Sequence, residues 1–427
     1  MFSDFAVKGG RTVELYTTEN ANPKPSLVPI PRKGLHGSSG ALLFIALVLA
    51  FSTVGVGLSS LFGLIAAHAM QVAAEVFSGV SAFFLILHVW RVARRAKGIL
   101  PILILVALLV AYVSSSMIPA AVLIALIAAI ALGALALSVI TQKQATWVPL
   151  VPILAYAITL VFCRDALAAL ACMLPLPAAW ALSFATRRSA EREDGPTRVG
   201  AICIAALALT ATVAALLALA LYRALGSLSP ETVTQALDAV REQAIVWITS
   251  VELPADTSEE LRALFSRENA EWMVNATVNL LPGYVIAAIN VLVAIAQLLL
   301  QASLVSFGCG ESLSDRVRIF RMSAVSCAIF AIAYLGALIG NGGEVSTLWG
   351  TVAQNVYVIL LPGLAFAGML RLLTGITRRG MGCFSMLVLL FAPLLLIIAP
   401  LLPAAVEVIG RFGSFIASKV RPPEGQA

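Results

Sequence analysis

Apolar residues run along this chain in long blocks separated by short polar connections, from Gly40 to Leu402. Blocks at 41–66, 70–91, 98–114, 117–139, 147–163, 166–186, 199–223, 273–305, 320–340, 346–373 and 382–400 lie close to or above the ~18–20 residues a helix needs to cross a bilayer. A last block, 404–418, either crosses again or lies at the interface, because Glu407 and Arg411 give it an amphipathic face. A cleaved signal peptide would show one short apolar region near the start instead. The expected fold class is therefore all-α, a polytopic transmembrane helical bundle of about 10–12 spans.

Composition agrees with that pattern. Of 427 residues, 60% are hydrophobic and 12% charged, and the mean hydropathy is +0.97, whereas a soluble domain carries about 25% charged residues. The net charge of +6 does not point to nucleic acid, since the basic residues sit in short clusters between apolar blocks. They mark topology. With the N-terminus inside, the connections that should be basic are the ones bearing Arg91, Arg94, Arg95 and Lys97; Lys143; Arg187, Arg188, Arg192 and Arg198; Arg316, Arg318 and Arg321; and Arg371, Arg378 and Arg379. The expected location is a bacterial plasma membrane, multi-pass, with a cytoplasmic N-terminus.

Four regions follow. Residues 1–40 are polar, contain Pro23, Pro25, Pro29 and Pro31, and read as a flexible cytoplasmic tail. Residues 41–223 form an N-terminal transmembrane bundle of about seven spans, and 273–427 a C-terminal one. Between them, 224–272 is an acidic extracytoplasmic insert, with nine acids against three arginines from Glu231 to Glu271, a balance of −6. Ser229-Pro230-Glu231 reads as an N-cap with proline at the first helical position, and Val233, Leu237, Val240, Ala244 and Trp247 repeat at helical spacing. Thr257-Ser258-Glu259-Glu260 is a capping box leading into Leu261, Leu264 and Phe265. Two amphipathic helices broken near Pro254 are expected. They either form a lid docked on the outer mouth of the bundle or belong to a solvated acidic loop.

Polar residues inside apolar blocks are costly in lipid and turn toward a cavity or toward each other. The block after the insert carries Trp272, Asn275, Asn279, Gly283, Asn290, Gln297 and Gln301. At about 100° per residue they fall within roughly an 80° sector, a polar seam through the membrane. Pro282 interrupts the seam and frees a carbonyl. The seam either lines a solute path or joins helices by amide hydrogen bonds. The tenth block repeats the pattern, with Thr351, Gln354, Asn355 and Tyr357 before Pro362-Gly363. Two broken helices entering from one side are what a midplane binding site would use. The candidate substrate-binding residues are therefore Asn275, Asn279, Asn290, Gln297, Gln301, Gln354 and Asn355.

A second set, His68, Gln71, Glu75 and Ser78, lies on one side of the second block, with Glu75 roughly 7–8 Å inside the outer boundary. His68 and Glu75 are candidates for a proton or cation site; a hydrated interfacial acid is the alternative. Arg164-Asp165 reads as a neutralised outer turn, and Gly336 to Gly340 as a GxxxG of close helix packing. The six cysteines are scattered singly and read as small apolar residues, with no metal site and no disulfide framework. No P-loop, GxSxG, HExxH or dinucleotide fingerprint is present, so no enzyme activity and no cofactor is expected.

The run Val274 to Val305, the Arg-bearing loop to Arg321, Asn341-Gly342-Gly343, Leu360-Leu361-Pro362-Gly363-Leu364 and the terminal segment to Lys419 together resemble the YybS-like family of predicted bacterial membrane proteins. The resemblance covers roughly the last 160 residues. It implies a helical bundle loosely similar to the S components of energy-coupling-factor transporters, and it brings no assigned activity. The expected partners are the lipid bilayer and either a small-molecule solute or a membrane or extracytoplasmic protein, for example in envelope or sporulation machinery.

Overall fold

The computed structural model describes residues 38–65, 67–95, 117–140, 147–190, 198–251, 258–306, 322–340, 348–378 and 398–420. Its elements are helices: α1 (Ser38–Leu61), α2 (His68–Arg95), α3 (Met117–Ile140), α4 (Leu150–Cys163), α5 (Ala166–Ala169), α6 (Pro175–Ala190), α7 (Arg198–Leu225), α8 (Pro230–Thr249), α9 (Glu259–Leu264), α10 (Arg267–Ser306), α11 (Ala324–Gly340), α12 (Leu348–Arg378) and α13 (Leu401–Val420). A 3-10 turn, Leu170–Met173, joins α5 to α6. The expected blocks at 98–114 and, for the most part, 382–400 lie outside the described residues, as does the tail before Ser38.

Among the described residues, seven segments are long and apolar enough to cross a membrane: Gly40–Leu61, His68–Arg91, Ile118–Ser138, Ala166–Ala185, Ile202–Leu225, Arg267–Leu304 and Leu348–Met369. Leu150–Cys163 and Ala324–Gly340 are shorter apolar helices. Helices suit this solvent because each satisfies its own backbone where lipid offers no partner. The chain is an all-α, membrane-spanning helical bundle.

At its centre stands α3, whose spanning stretch is 89% buried. Its sequence is nearly all Ala, Leu and Ile, and the alanines let α1, α2, α6 and α10 close around it. The main core gathers Leu43, Leu47, Phe51, Ile124, Ile130, Leu135, Leu182, Leu209, Val293 and Leu299 from α1, α3, α6, α7 and α10. A second cluster, with Met322, Cys327, Phe330, Leu364, Ala367 and Ala404, unites α11, α12 and α13. In it Gly336 lies against Ala353, the close packing that GxxxG predicts. The last block is a helix packed on α12 and α11, with Glu407 turned into this cluster.

Two expectations need revision. The block 166–186 is not one regular helix, because Pro175 and Pro177 lack the N–H groups that would continue the ladder from α5. In the insert, Ser229 caps α8 as expected, its Oγ accepting from Thr232 N at 3.2 Å. The face that docks, however, is Ala244, Ile245 and Ile248 against Ala270, Val274 and Val278 of α10. Val240 and Trp247 of the expected stripe point outward, 61% and 72% exposed. Beside the docking face Glu242 meets Arg267 in an exposed ion pair of 2.8 Å. Glu242 with Arg267 and Ile245 with Ala270 advance together, so α8 runs alongside the start of α10 in the same direction.

Candidate functional site

The polar seam of α10 divides along its length. Trp272, Asn275 and Asn279 are exposed, Asn290 is half-buried, and Gln297 and Gln301 are buried at 5% and 8% exposure. The reason is the neighbours: at the Arg267 end α8 covers the Ala270–Val274 side of this 40-residue helix and leaves the asparagines outside, while further along it is enclosed by α2, α3, α7 and α12.

Between these halves lies Pro282, which does not break the helix as expected: α10 runs on through it, and α12 packs alongside. Asn355 Oδ1 accepts the Gly283 N–H at 2.7 Å, and Asn355 Nδ2 donates to Asn279 O at 2.9 Å. Gly283 N and Asn279 O are the i and i−4 groups that an uninterrupted helix joins to each other. The asparagine amide therefore bridges two backbone groups one turn apart on its neighbour. Its Nδ2 also donates to Thr351 O at 2.9 Å within α12, which fixes the amide plane. Glycine is required opposite it, because a Cβ on Gly283 would stand 2.6 Å from Asn355 Oδ1 and 3.1 Å from Asn355 Cα.

The second proline-glycine pair does not meet the first. Gly363 lies against Met322, and Pro362 is seven residues beyond Asn355, about 10 Å along the helix. Gln354 is half-buried beside Asn355. Of the seam residues, the structure thus brings Asn279 and Asn355 together, through the Asn279 backbone carbonyl and the Asn355 side-chain amide.

Deeper in the bundle the polar groups are less well matched. Gln297 Oε1 is buried with no hydrogen-bond partner among the described residues, although Gln301 has one. The same holds for Ser52, Thr53 and Ser59 hydroxyls on α1 and Ser78 on α2. Val56 and Ala74 belong to one apolar cluster of the antiparallel α1 and α2. Ser52 and Ser78 each lie four residues deeper, one turn further from the connection between those helices. Buried polar atoms in native structures are hydrogen-bonded in the great majority, so such a set marks where water or a ligand belongs.

His68, Gln71 and Glu75 sit on the exposed side of α2, whereas Ser78 is buried. Arg164-Asp165 is neutralised across helices: Asp165 pairs with Arg223 of α7 at 2.7 Å and caps α5 through Leu167 N and Ala168 N. The Arg223 hydrogen bond, then the bond from Ala168, holds the Asp165 carboxyl below its ordinary value.

Sequence reasoning passed over the pair Arg371 and Glu407, which links α12 to α13 at 3.4 Å. The available signal was Glu407 standing alone in an apolar run beside Gly410. In class, the molecule is a polytopic α-helical membrane protein whose apolar core holds a few buried polar side chains. No protein-family model, curated protein or solved structure matches the chain.

Proposed function

We propose that the protein binds a small polar solute inside its helical bundle, with Gln297 as the principal contact, and does so in a bacterial plasma membrane with its N-terminus cytoplasmic. One observation carries this reading: a carboxamide oxygen that is buried, lies among apolar residues, and receives no donor from the described residues. Leaving such an acceptor unsatisfied costs about 1–3 kcal/mol, and a solute bearing an N–H or O–H group removes that cost. The hydroxyls of Ser52, Thr53 and Ser78 are further buried polar atoms with no partner among the described residues. The resemblance to the YybS-like family, and through it to S components, points the same way.

The test is a thermal-shift screen of the detergent-purified chain against vitamins, nucleobases, amino acids and lipid precursors, with Gln297→Leu alongside. A compound that stabilises the parent and not the variant supports the reading, since stabilisation follows occupancy as RT ln(1 + [L]/Kd). If Gln297→Leu is itself more stable than the parent and no compound shifts either protein, the solute reading falls.

A second reading is a non-transporting membrane scaffold, favoured by the Asn355 geometry. There an amide of the seam joins two helices and leaves no group free for a ligand. On this reading the acidic insert is the partner-binding element. Recovery of a specific extracytoplasmic protein that depends on residues 230–249 supports it.

A further inference from the structure

Glu407 is a carboxylate buried within the helical bundle, 2% exposed and flanked by Ala404 and Val408 of the α11–α13 cluster. Its two oxygens differ. Oε2 meets Arg371 Nη1 at 3.4 Å, at the long end for a charge-assisted contact. The Arg371 guanidinium is shared, because its Nη2 donates to Gly410 O at 2.9 Å. Oε1 is buried and has no hydrogen-bond partner among the described residues. A buried carboxylate with one oxygen unmatched is incompletely compensated.

The groups around it decide what can compensate it. From α12 comes Arg371, and from α11 comes Cys327, which lies within electrostatic reach of Glu407, Arg371 and Arg411; Arg411 is on α13 itself. Two guanidinium groups repel a sodium or potassium ion, and one thiol is a poor ligand for either. A proton needs no ligand set. Glu407 Oε1 offers it a buried lone pair that no described group occupies. We propose that Glu407 is a proton-binding site that operates the contact between α12 and α13. The proton adds to Oε1, the carboxylate becomes a neutral acid, and no covalent bond breaks. The ion pair with Arg371 becomes a weaker neutral contact, while the tie of Arg371 to Gly410 O remains. This inference is independent of the solute reading at Gln297.

Infrared difference spectroscopy tests it on the full chain in proteoliposomes, comparing the parent with Glu407→Gln and Glu407→Asp in sodium-free buffer. A carboxylic-acid carbonyl band should grow reversibly as pH is lowered in the parent, disappear in Glu407→Gln and move in Glu407→Asp. If Glu407→Gln fails to fold, displacement of the band in Glu407→Asp alone carries the assignment, and a band that does not move overturns it. The same band in the parent and a folded Glu407→Gln, or no reversible band in the parent, also overturns it. Loss of the band on adding sodium at fixed pH assigns a metal-cation site instead and overturns the proton.

Discussion

Asn355 bridges two backbone groups one turn apart on its neighbour's helix, taking the Gly283 N–H on its oxygen at 2.7 Å and giving its own N–H to Asn279 O at 2.9 Å. Apolar replacement therefore removes two interhelical hydrogen bonds to the backbone at once, where lipid supplies none. Asn355→Leu should destabilise the protein by about 2–3 kcal/mol, toward the upper range for interhelical polar contacts in membranes. The unfolding midpoint in an SDS titration measures this. A loss below about 0.5 kcal/mol would show that the bridge is dispensable.

Gly283→Ala tests the same contact from the other side. The new methyl group would meet Asn355 Oδ1 at 2.6 Å and Asn355 Cα at 3.1 Å. The side chain can move and the backbone cannot, so the substitution should cost about 1–3 kcal/mol. In a double-mutant cycle with Asn355→Ala the two losses should be strongly non-additive, with a coupling of about 1 kcal/mol or more. Additive losses would mean that the helices separate at Gly283 for another reason.

These two residues also mark how far the chain could be read without coordinates. Span positions were legible because bilayer thickness fixes a length that any apolar run must match. The start of α8 was legible because Ser229 and Pro230 act through bonds within their own turn. Pro282 was visible too, but its partner is 73 residues away, and nothing in Asn355 itself says which backbone it will reach. The seam was found as a line on one helix, whereas its meaning changes where neighbours enclose it, exposed at Asn279 and buried at Gln297. Glu407 and Arg411 left the 404–418 block open between crossing and lying at the interface, because the cross-helix contact of Glu407 is to Arg371, which by sequence is a topology charge.

α12 and α13 meet backbone to backbone at Gly368. A Cβ there would collide with the Pro403 carbonyl and come within 3.3 Å of Glu407 N. Gly368→Ala should push α13 away and cost about 1–3 kcal/mol. Gly413, on the same helix as Pro403, has nothing within 4 Å of a built Cβ. Gly413→Ala should be neutral or stabilise by about 0.5 kcal/mol through the helix propensity of alanine. Equal effects of the two substitutions would refute the assigned crossing point.

Asp165 predicts an acid-sensitive turn. Its carboxyl is held below its ordinary value by Arg223 first and then by the Ala168 N–H. A depressed folded value means that the contribution is fully present above the ordinary carboxylate pKa of about 4 and is lost as pH falls through the folded value. The parent should therefore lose stability on acidification below about pH 4 more steeply than Asp165→Asn, which still caps α5. Arg223→Gln should flatten the same slope. At neutral pH both variants should lie within about 1 kcal/mol of the parent, since the ion pair is solvent-exposed. Midpoints measured across that range decide it, and parallel curves for all three proteins would remove Asp165 from the account.

The residue before it closes α4 in a conformation that side chains resist. Arg164 has φ 53 and ψ 16, and its N–H donates to Leu160 O at 2.9 Å while its side chain is exposed. The left-handed turn is needed because Asp165 must return to extended backbone, φ −125 and ψ 119, to cap α5. For a non-glycine residue this region costs about 1–2 kcal/mol, part of which glycine gives back through its greater freedom when unfolded. Arg164→Gly should raise stability by about 0.5–1 kcal/mol, and Arg164→Val should lower it, because branching at Cβ makes positive φ harder still. Unfolding midpoints for the two variants give the answer. A glycine that fails to stabilise together with a tolerated valine would mean that the turn relaxes out of the left-handed region in the membrane.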